Sequence, residues 1–330
     1  MQNRITENFN SGKDGQMKKN PPLASFFFAL SFLTRFSCPM VHPAEKIWHN
    51  AAFYFPLIGM ILGFTAGFFP MLAAWYLEGL QGVVLFFSIV YVGLLELQSR
   101  FLHLDGFCDC CDGFYAMTDS VEKRLAIMKD PHVGSAAVGS AILLISAKVL
   151  AVYLLFMRLA IFEEYLLLGL CLIVIPAPAR YAMVWAAYGS KYPRENGTGK
   201  ALIGQISFIK GILFPGMILS SLIFGGFGLL ATFRSLFPLI GSGENYLDGF
   251  RQIAHLLQKS PSYWQLVFSN GGLVWLLVLL GTYFSVVFWK NKAKNKIGGV
   301  TGDVLGAVCE TCELMMMIAM LIVADRLTFI

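Results

Sequence analysis

Apolar residues run through this chain in blocks of about 20 to 25, and the charged residues collect in the short segments between them. A helix of roughly 20 apolar residues, rising 1.5 Å per residue, crosses a hydrocarbon core of about 30 Å. Hydropathy and the Gly and Pro breakers together predict seven spans, at about 53–77, 80–102, 134–156, 164–188, 211–233, 264–289 and 303–324. A further apolar stretch, 22–38, is shorter, holds Arg35 and is bracketed by Pro21, Pro22 and Pro39. It reads as an interfacial or re-entrant helix, with an eighth span as the alternative. The pattern therefore predicts an all-α fold, a polytopic transmembrane helical bundle of about seven spans.

Composition agrees: with 57% hydrophobic and 14% charged residues in a chain of 330, there is too little polar surface to coat a soluble globule. The expected surroundings are a lipid bilayer, and no nucleic acid is expected as a partner. Residues 1–20 are polar, carry Lys18 and Lys19, and lack the apolar core and cleavage site of a secretory signal. They are expected to form a disordered cytoplasmic tail, and 21–330 a single membrane-embedded catalytic domain. If the N-terminus is inside, seventeen of the 25 Lys and Arg residues fall on the cytoplasmic side and five on the other, which is the distribution that sets membrane topology. The same orientation puts the segments 103–132, 189–210 and 290–302 on one face. Seven cysteines, an odd number and closely grouped at Cys108, Cys110 and Cys111, do not suggest a disulfide framework.

Those three segments hold the unusual residues. Asp105, Asp109 and Asp112 are spaced i, i+4, i+7 in His103-Leu104-Asp105-Gly106-Phe107-Cys108-Asp109-Cys110-Cys111-Asp112-Gly113, so a helix would project all three carboxylates from one face. Like charges crowded at a membrane are tolerated when a divalent cation lies among them, and hard oxygen ligands suit Mg²⁺ or Mn²⁺. A second acidic pair, Asp303 and Glu310, is spaced i, i+7 at the start of the last span, with Gly302 and Gly306 permitting close approach of backbones. It supplies candidate metal or substrate ligands. Lys129, Arg194 and Lys200 are candidate anion-binding groups, the last two flanking the Gly-rich loop Glu195-Asn196-Gly197-Thr198-Gly199. Arg180 follows Pro176-Ala177-Pro178-Ala179 inside an apolar block, where a guanidinium requires a carboxylate or phosphate partner. A zinc site built on His103 and the cysteines does not fit, because the spacing lacks two Cys-x-x-Cys pairs.

These motifs, taken in order, resemble the cobalamin synthase family of adenosylcobinamide-GDP ribazoletransferases. The resemblance covers about residues 23–325 and includes Phe32-Leu33-Thr34-Arg35-Phe36, Phe55-Pro56-Leu57-Ile58-Gly59, His103-Leu104-Asp105-Gly106 with Asp109 and Asp112-Gly113, Met128-Lys129-Asp130, Arg194 with Gly197 and Gly199, and Gly299-Val300-Thr301-Gly302-Asp303. Two features depart from the family pattern: the cysteines at 108, 110 and 111, and an insertion over 231–262. The resemblance implies joining of adenosylcobinamide-GDP to α-ribazole, or its 5′-phosphate, with release of GMP, at the cytoplasmic face of a bacterial inner membrane. It implies Mg²⁺ as cofactor, held by Asp105, Asp109 and Asp112, with Asp303 or Glu310 as base or second metal ligand. Lys129, Arg180, Arg194 and Lys200 would hold phosphate or nucleotide. Two rival readings are a CDP-alcohol-type phosphotransferase and a small-molecule transporter. The first lacks its Ala-Arg after Asp112-Gly113, and the second has Lys148 and Arg180 as buried charges but no repeated halves.

Overall fold

A computed structural model describes residues 20–42, 45–76, 81–161, 165–226 and 261–327. The tail expected over 1–20 and the insertion expected over 231–262 lie, but for their last residues, outside the described residues. The described chain is helical throughout its regular structure: α1 (Ala24–Leu33), α2 (Glu45–Ala51), α3 (Phe55–Tyr76), α4 (Gln81–Gln98), α5 (Leu102–Tyr115), α6 (Val121–Ile127), α7 (Ser135–Ile161), α8 (Tyr165–Val174), α9 (Pro176–Ala187), α10 (Phe208–Gly226), α11 (Pro261–Ile297) and α12 (Gly302–Leu327).

Six described stretches are long and apolar enough to cross a membrane: Lys46–Leu72, Ser135–Leu159, Leu167–Ala187, Phe208–Gly226, Gly272–Ile297 and Gly302–Ala324. The predicted span 80–102 corresponds to α4, and the segment that follows it, expected between spans, is the helix α5; the two are bent by 87° at their junction and make a seventh span only if taken together. No Gly or Pro marks this corner in the sequence. It is made instead by Arg100 and Phe101, both left-handed at φ 58° and 55°, a conformation that costs a non-Gly residue about 1–2 kcal/mol. The corner is secured by the Phe101 N–H donating to Glu96 O at 2.8 Å, and by Arg100 Nη2 donating to Ser31 O at 2.9 Å. The latter bond also ties the corner to α1, which has 10 residues and so reaches about 15 Å, half the hydrocarbon thickness.

Among these helices α12 is central, packing against α5, α7, α9 and α11. Two thirds (67%) of its most apolar window is buried inside the protein, against 28% for α10. The run Met315-Met316-Met317 belongs to this packing, since Met316 and Met317 are fully buried. Between apolar helices in lipid there is little hydrophobic drive to associate, so close approach depends on small residues and polar contacts. The surroundings of α12 supply both.

Candidate active site

One such approach joins α5 to α12. A Cβ on Gly106 would lie 2.8 Å from Asp303 O and 2.9 Å from Asp303 Cα, and a Cβ on Gly306 would lie 2.8 Å from His103 O. Each helix thus presents a glycine to the backbone of the other, and the crossing brings Asp303 beside the face that carries Asp105 and Asp109. Asp105 is exposed, Asp109 and Asp303 half-buried. Asp109 lies within electrostatic reach of Asp303, Asp105, Asp112 and Arg194. Aspartates from two motifs some 190 residues apart in sequence therefore share one end of the bundle.

An aspartate in the first turn of a helix often serves only as its cap. In α12 that role belongs to Thr301, whose Oγ1 accepts the Val304 N–H at 3.4 Å and donates to Asp303 Oδ2 at 3.2 Å. The Asp303 carboxylate is thereby free to take Arg194, whose Nη2 donates to the same Oδ2 at 2.9 Å. The loop that carries Arg194 is fastened to the residues before α12: the Val300 N–H donates to Lys191 O at 2.9 Å, and Lys290 Nζ to Tyr188 O at 3.0 Å. Tyr192 lies here too. Burial raises its phenol above the usual range, against the pull of the neighbouring Arg194, so it stands beside the ion pair as a neutral hydroxyl.

Asp112 has a different setting from its two neighbours on the stripe. Its Oδ2 accepts the Gly134 N–H at 2.6 Å and its Oδ1 the Ala137 N–H at 2.9 Å, so it caps the start of α7. Each carboxylate oxygen has two lone pairs, which leaves each with capacity for one more partner. Lys129 and Lys200 are exposed, Lys200 donating to Glu195 O at 2.8 Å. No hydrogen bond or ion pair among the described residues joins either lysine to the aspartates.

Glu310 and Arg180 are not brought to the aspartates. Seven residues along α12 from Asp303, Glu310 is buried and accepts from Lys148 Nζ at 2.5 Å. The same ammonium donates to Glu96 Oε1 at 3.0 Å and Glu313 Oε2 at 2.8 Å, while Arg180 pairs with Glu313 Oε1. The carboxylate partner expected for Arg180 is thus Glu313. Glu96 and Glu313 were missed in the sequence, although each interrupts an apolar block, and Glu313 at i+3 from Glu310 was the signal that could have found it.

Two acidic groups could in principle take a cation. The ligand atoms of Glu96, Glu310 and Glu313 all lie within 4.8 Å of one another, but Lys148 Nζ already occupies their centre. The aspartates are more widely set and reach solvent, and they offer only hard oxygen donors with Arg194 as the neighbouring counter-charge. That donor set fits Mg²⁺.

Fold and site together define a polytopic membrane protein with an aspartate-rich centre at one end of its helices. The profile of the cobalamin-5-phosphate synthase family matches residues 25–321, and the chain belongs to that family. Among its relatives, a protein of Fusobacterium nucleatum named adenosylcobinamide-GDP ribazoletransferase is 29% identical over 91% of this chain and 98% of its own length. Proteins of the same name from Syntrophobacter fumaroxidans (31% identical, 89% of this chain and 96% of the relative) and Klebsiella pneumoniae (29%, 91% and 100%) are similar over the same extent. No solved structure matches.

Proposed function

We propose that the protein is an adenosylcobinamide-GDP ribazoletransferase of the bacterial inner membrane, with its aspartate site facing the cytoplasm and Mg²⁺ as its cofactor. The reading rests on one observation above the others: Asp105 and Asp109 of α5 meet Asp303 of α12, with Arg194 beside them, where a charged substrate can reach them from water.

Bound Mg²⁺ would neutralise the diphosphate of adenosylcobinamide-GDP and lower the energy of the departing phosphate charge. Asp105, Asp109 and Asp303 would hold it, with Asp112 adding a ligand from its remaining lone pairs. Arg194 is placed to clamp a phosphate oxygen, since a guanidinium offers planar paired donors. Lys129 and Lys200, on long exposed side chains, attract the anionic substrate from solution. In the transfer, the 3′-hydroxyl oxygen of α-ribazole, or of its 5′-phosphate, bonds to the phosphorus nearest cobinamide. The bond from that phosphorus to the GMP oxygen breaks, and GMP leaves with the electron pair. The hydroxyl proton passes to one of the site carboxylates, Asp105, Asp109 or Asp303, none of which is consumed by a helix cap.

The test is GMP release by purified protein in proteoliposomes given adenosylcobinamide-GDP. Release should require both α-ribazole and Mg²⁺, and EDTA should abolish it. GMP release without α-ribazole, or none with all three components, contradicts the reading.

A further inference from the structure

The buried ion cluster has no part in the reaction proposed above, yet it ties α12, which carries Asp303, to α4, α7 and α9, the first of which leads through the corner into α5. Glu96 belongs to α4, Lys148 to α7, Arg180 to α9, and Glu310 and Glu313 to α12. Lys148 and Glu310 are fully or nearly fully buried, and so are the other three. An ammonium has three N–H donors, and those of Lys148 meet three carboxylates from two helices. The lysine occupies the place that a metal ion would otherwise take, as a cation that the chain itself supplies.

Its connections are directional. Glu96 is held to Lys148 by its side chain, while its backbone oxygen accepts the Phe101 N–H at 2.8 Å and the Ser99 hydroxyl at 3.0 Å, the bonds that close the corner into α5. From that corner α5 runs to Asp112, which caps α7, the helix on which Lys148 resides. Glu310 is two turns from Asp303 on the same face of α12. Corner, α5, α7 and α12 thus form a closed mechanical loop with Lys148 at its crossing point. Three carboxylates face two cations, and Glu96 Oε2 and Arg180 Nε are buried without a hydrogen-bond partner. Loss of the lysine charge would leave the three buried carboxylates with Arg180 as the remaining cation of the cluster.

We infer that Lys148 is a positioning residue for the aspartate site: by clamping the α4–α5 corner to α12 it sets the approach of Asp105 and Asp109 to Asp303. The inference rests on the aspartate-site reading for its consequence in catalysis, though not for its consequence in structure. Two readouts on Lys148→Met and Lys148→Arg separate these. The first is the distance distribution, measured by double electron–electron resonance without metal, between spin labels at the exposed positions Leu102 and Ile318 in a cysteine-free background. The second is the Mg²⁺ concentration for half-maximal GMP release. Lys148→Met should broaden or displace the distances and raise the Mg²⁺ requirement about 10- to 100-fold, the usual scale for groups that orient metal ligands. Lys148→Arg, which keeps the charge, should recover part of both. If Lys148→Met is not recovered folded, Glu96→Gln, which leaves two of the three carboxylates on the lysine, should show the same shifts at smaller size. Unchanged distances and an unchanged Mg²⁺ requirement, with only the yield of folded protein reduced, would make Lys148 a stability element and overturn the inference. A wild-type protein without Mg²⁺-dependent turnover would sink the functional proposal and leave the distance measurement to decide the clamp.

Discussion

Gly106 on α5 and Asp303 on α12 meet backbone to backbone, so closely that a Cβ at 106 would come within 2.9 Å of Asp303 Cα. An alanine there forces the helices apart, and overpacking of this kind costs about 1–3 kcal/mol. Gly106→Ala should therefore lower GMP release sharply while the protein still inserts and purifies as a monodisperse species. Activity near the wild-type level in proteoliposomes would mean that the crossing does not set the site.

Thr301 and Asp303 divide two duties that one residue could have carried. Thr301→Ala should lower the melting temperature, since loss of a cap costs about 0.5–2 kcal/mol, and should leave most of the turnover of the folded fraction. Asp303→Asn should do the reverse. Thermal unfolding in detergent, read beside GMP release, distinguishes them; equal effects of both variants on both measurements would contradict the division.

Asp112 combines the stripe with a cap, because both of its oxygens accept N–H groups at the start of α7. Asp112→Ala should consequently destabilise the protein by about 0.5–2 kcal/mol, more than Asp109→Ala, which removes a half-buried carboxylate from among like charges. Comparing the two melting temperatures at one pH and salt concentration checks this. A smaller loss for Asp112→Ala than for Asp109→Ala would contradict it.

What the sequence disclosed follows from how local each signal is. Six of the apolar blocks and the i, i+4, i+7 aspartates are periodicities within single helices, and among the described residues they appear near the expected positions. The Arg180 partner was foreseen as a chemical necessity but not as Glu313, because a buried charge announces its need without naming who meets it. The α4–α5 corner was not legible at all: Arg100 and Phe101 carry no turn signal, and their left-handed backbone is held by tertiary bonds to Glu96 and Ser31. Glu310 looked like a partner of Asp303 because the two share a face of α12, and seven residues of rise, about 10 Å, separate them in depth.

The loop at 188–200 is joined to the end of α11 and the start of α12 by Lys290 to Tyr188, Val300 to Lys191, and Arg194 to Asp303. Single cysteines at Lys200 and Asn295, both exposed, should therefore react with an impermeant maleimide from the same side of the membrane, the cytoplasmic one by the charge distribution. Labelling from opposite sides would contradict the shared face, and labelling of both from outside would reverse the orientation.

The central claim is that the aspartates around the α5–α12 crossing hold the cation that the transfer requires. Asp109→Asn tests it most directly, because the amide keeps the size of the side chain and removes the charge at the middle of the stripe. Wild-type and Asp109→Asn protein would be stripped with EDTA and titrated with Mg²⁺ while GMP release from adenosylcobinamide-GDP and α-ribazole is followed. The account predicts saturable restoration of the wild type and a variant slower by about 100-fold or more at every Mg²⁺ concentration, at equal folded yield. A variant that matches the wild-type titration curve would contradict it.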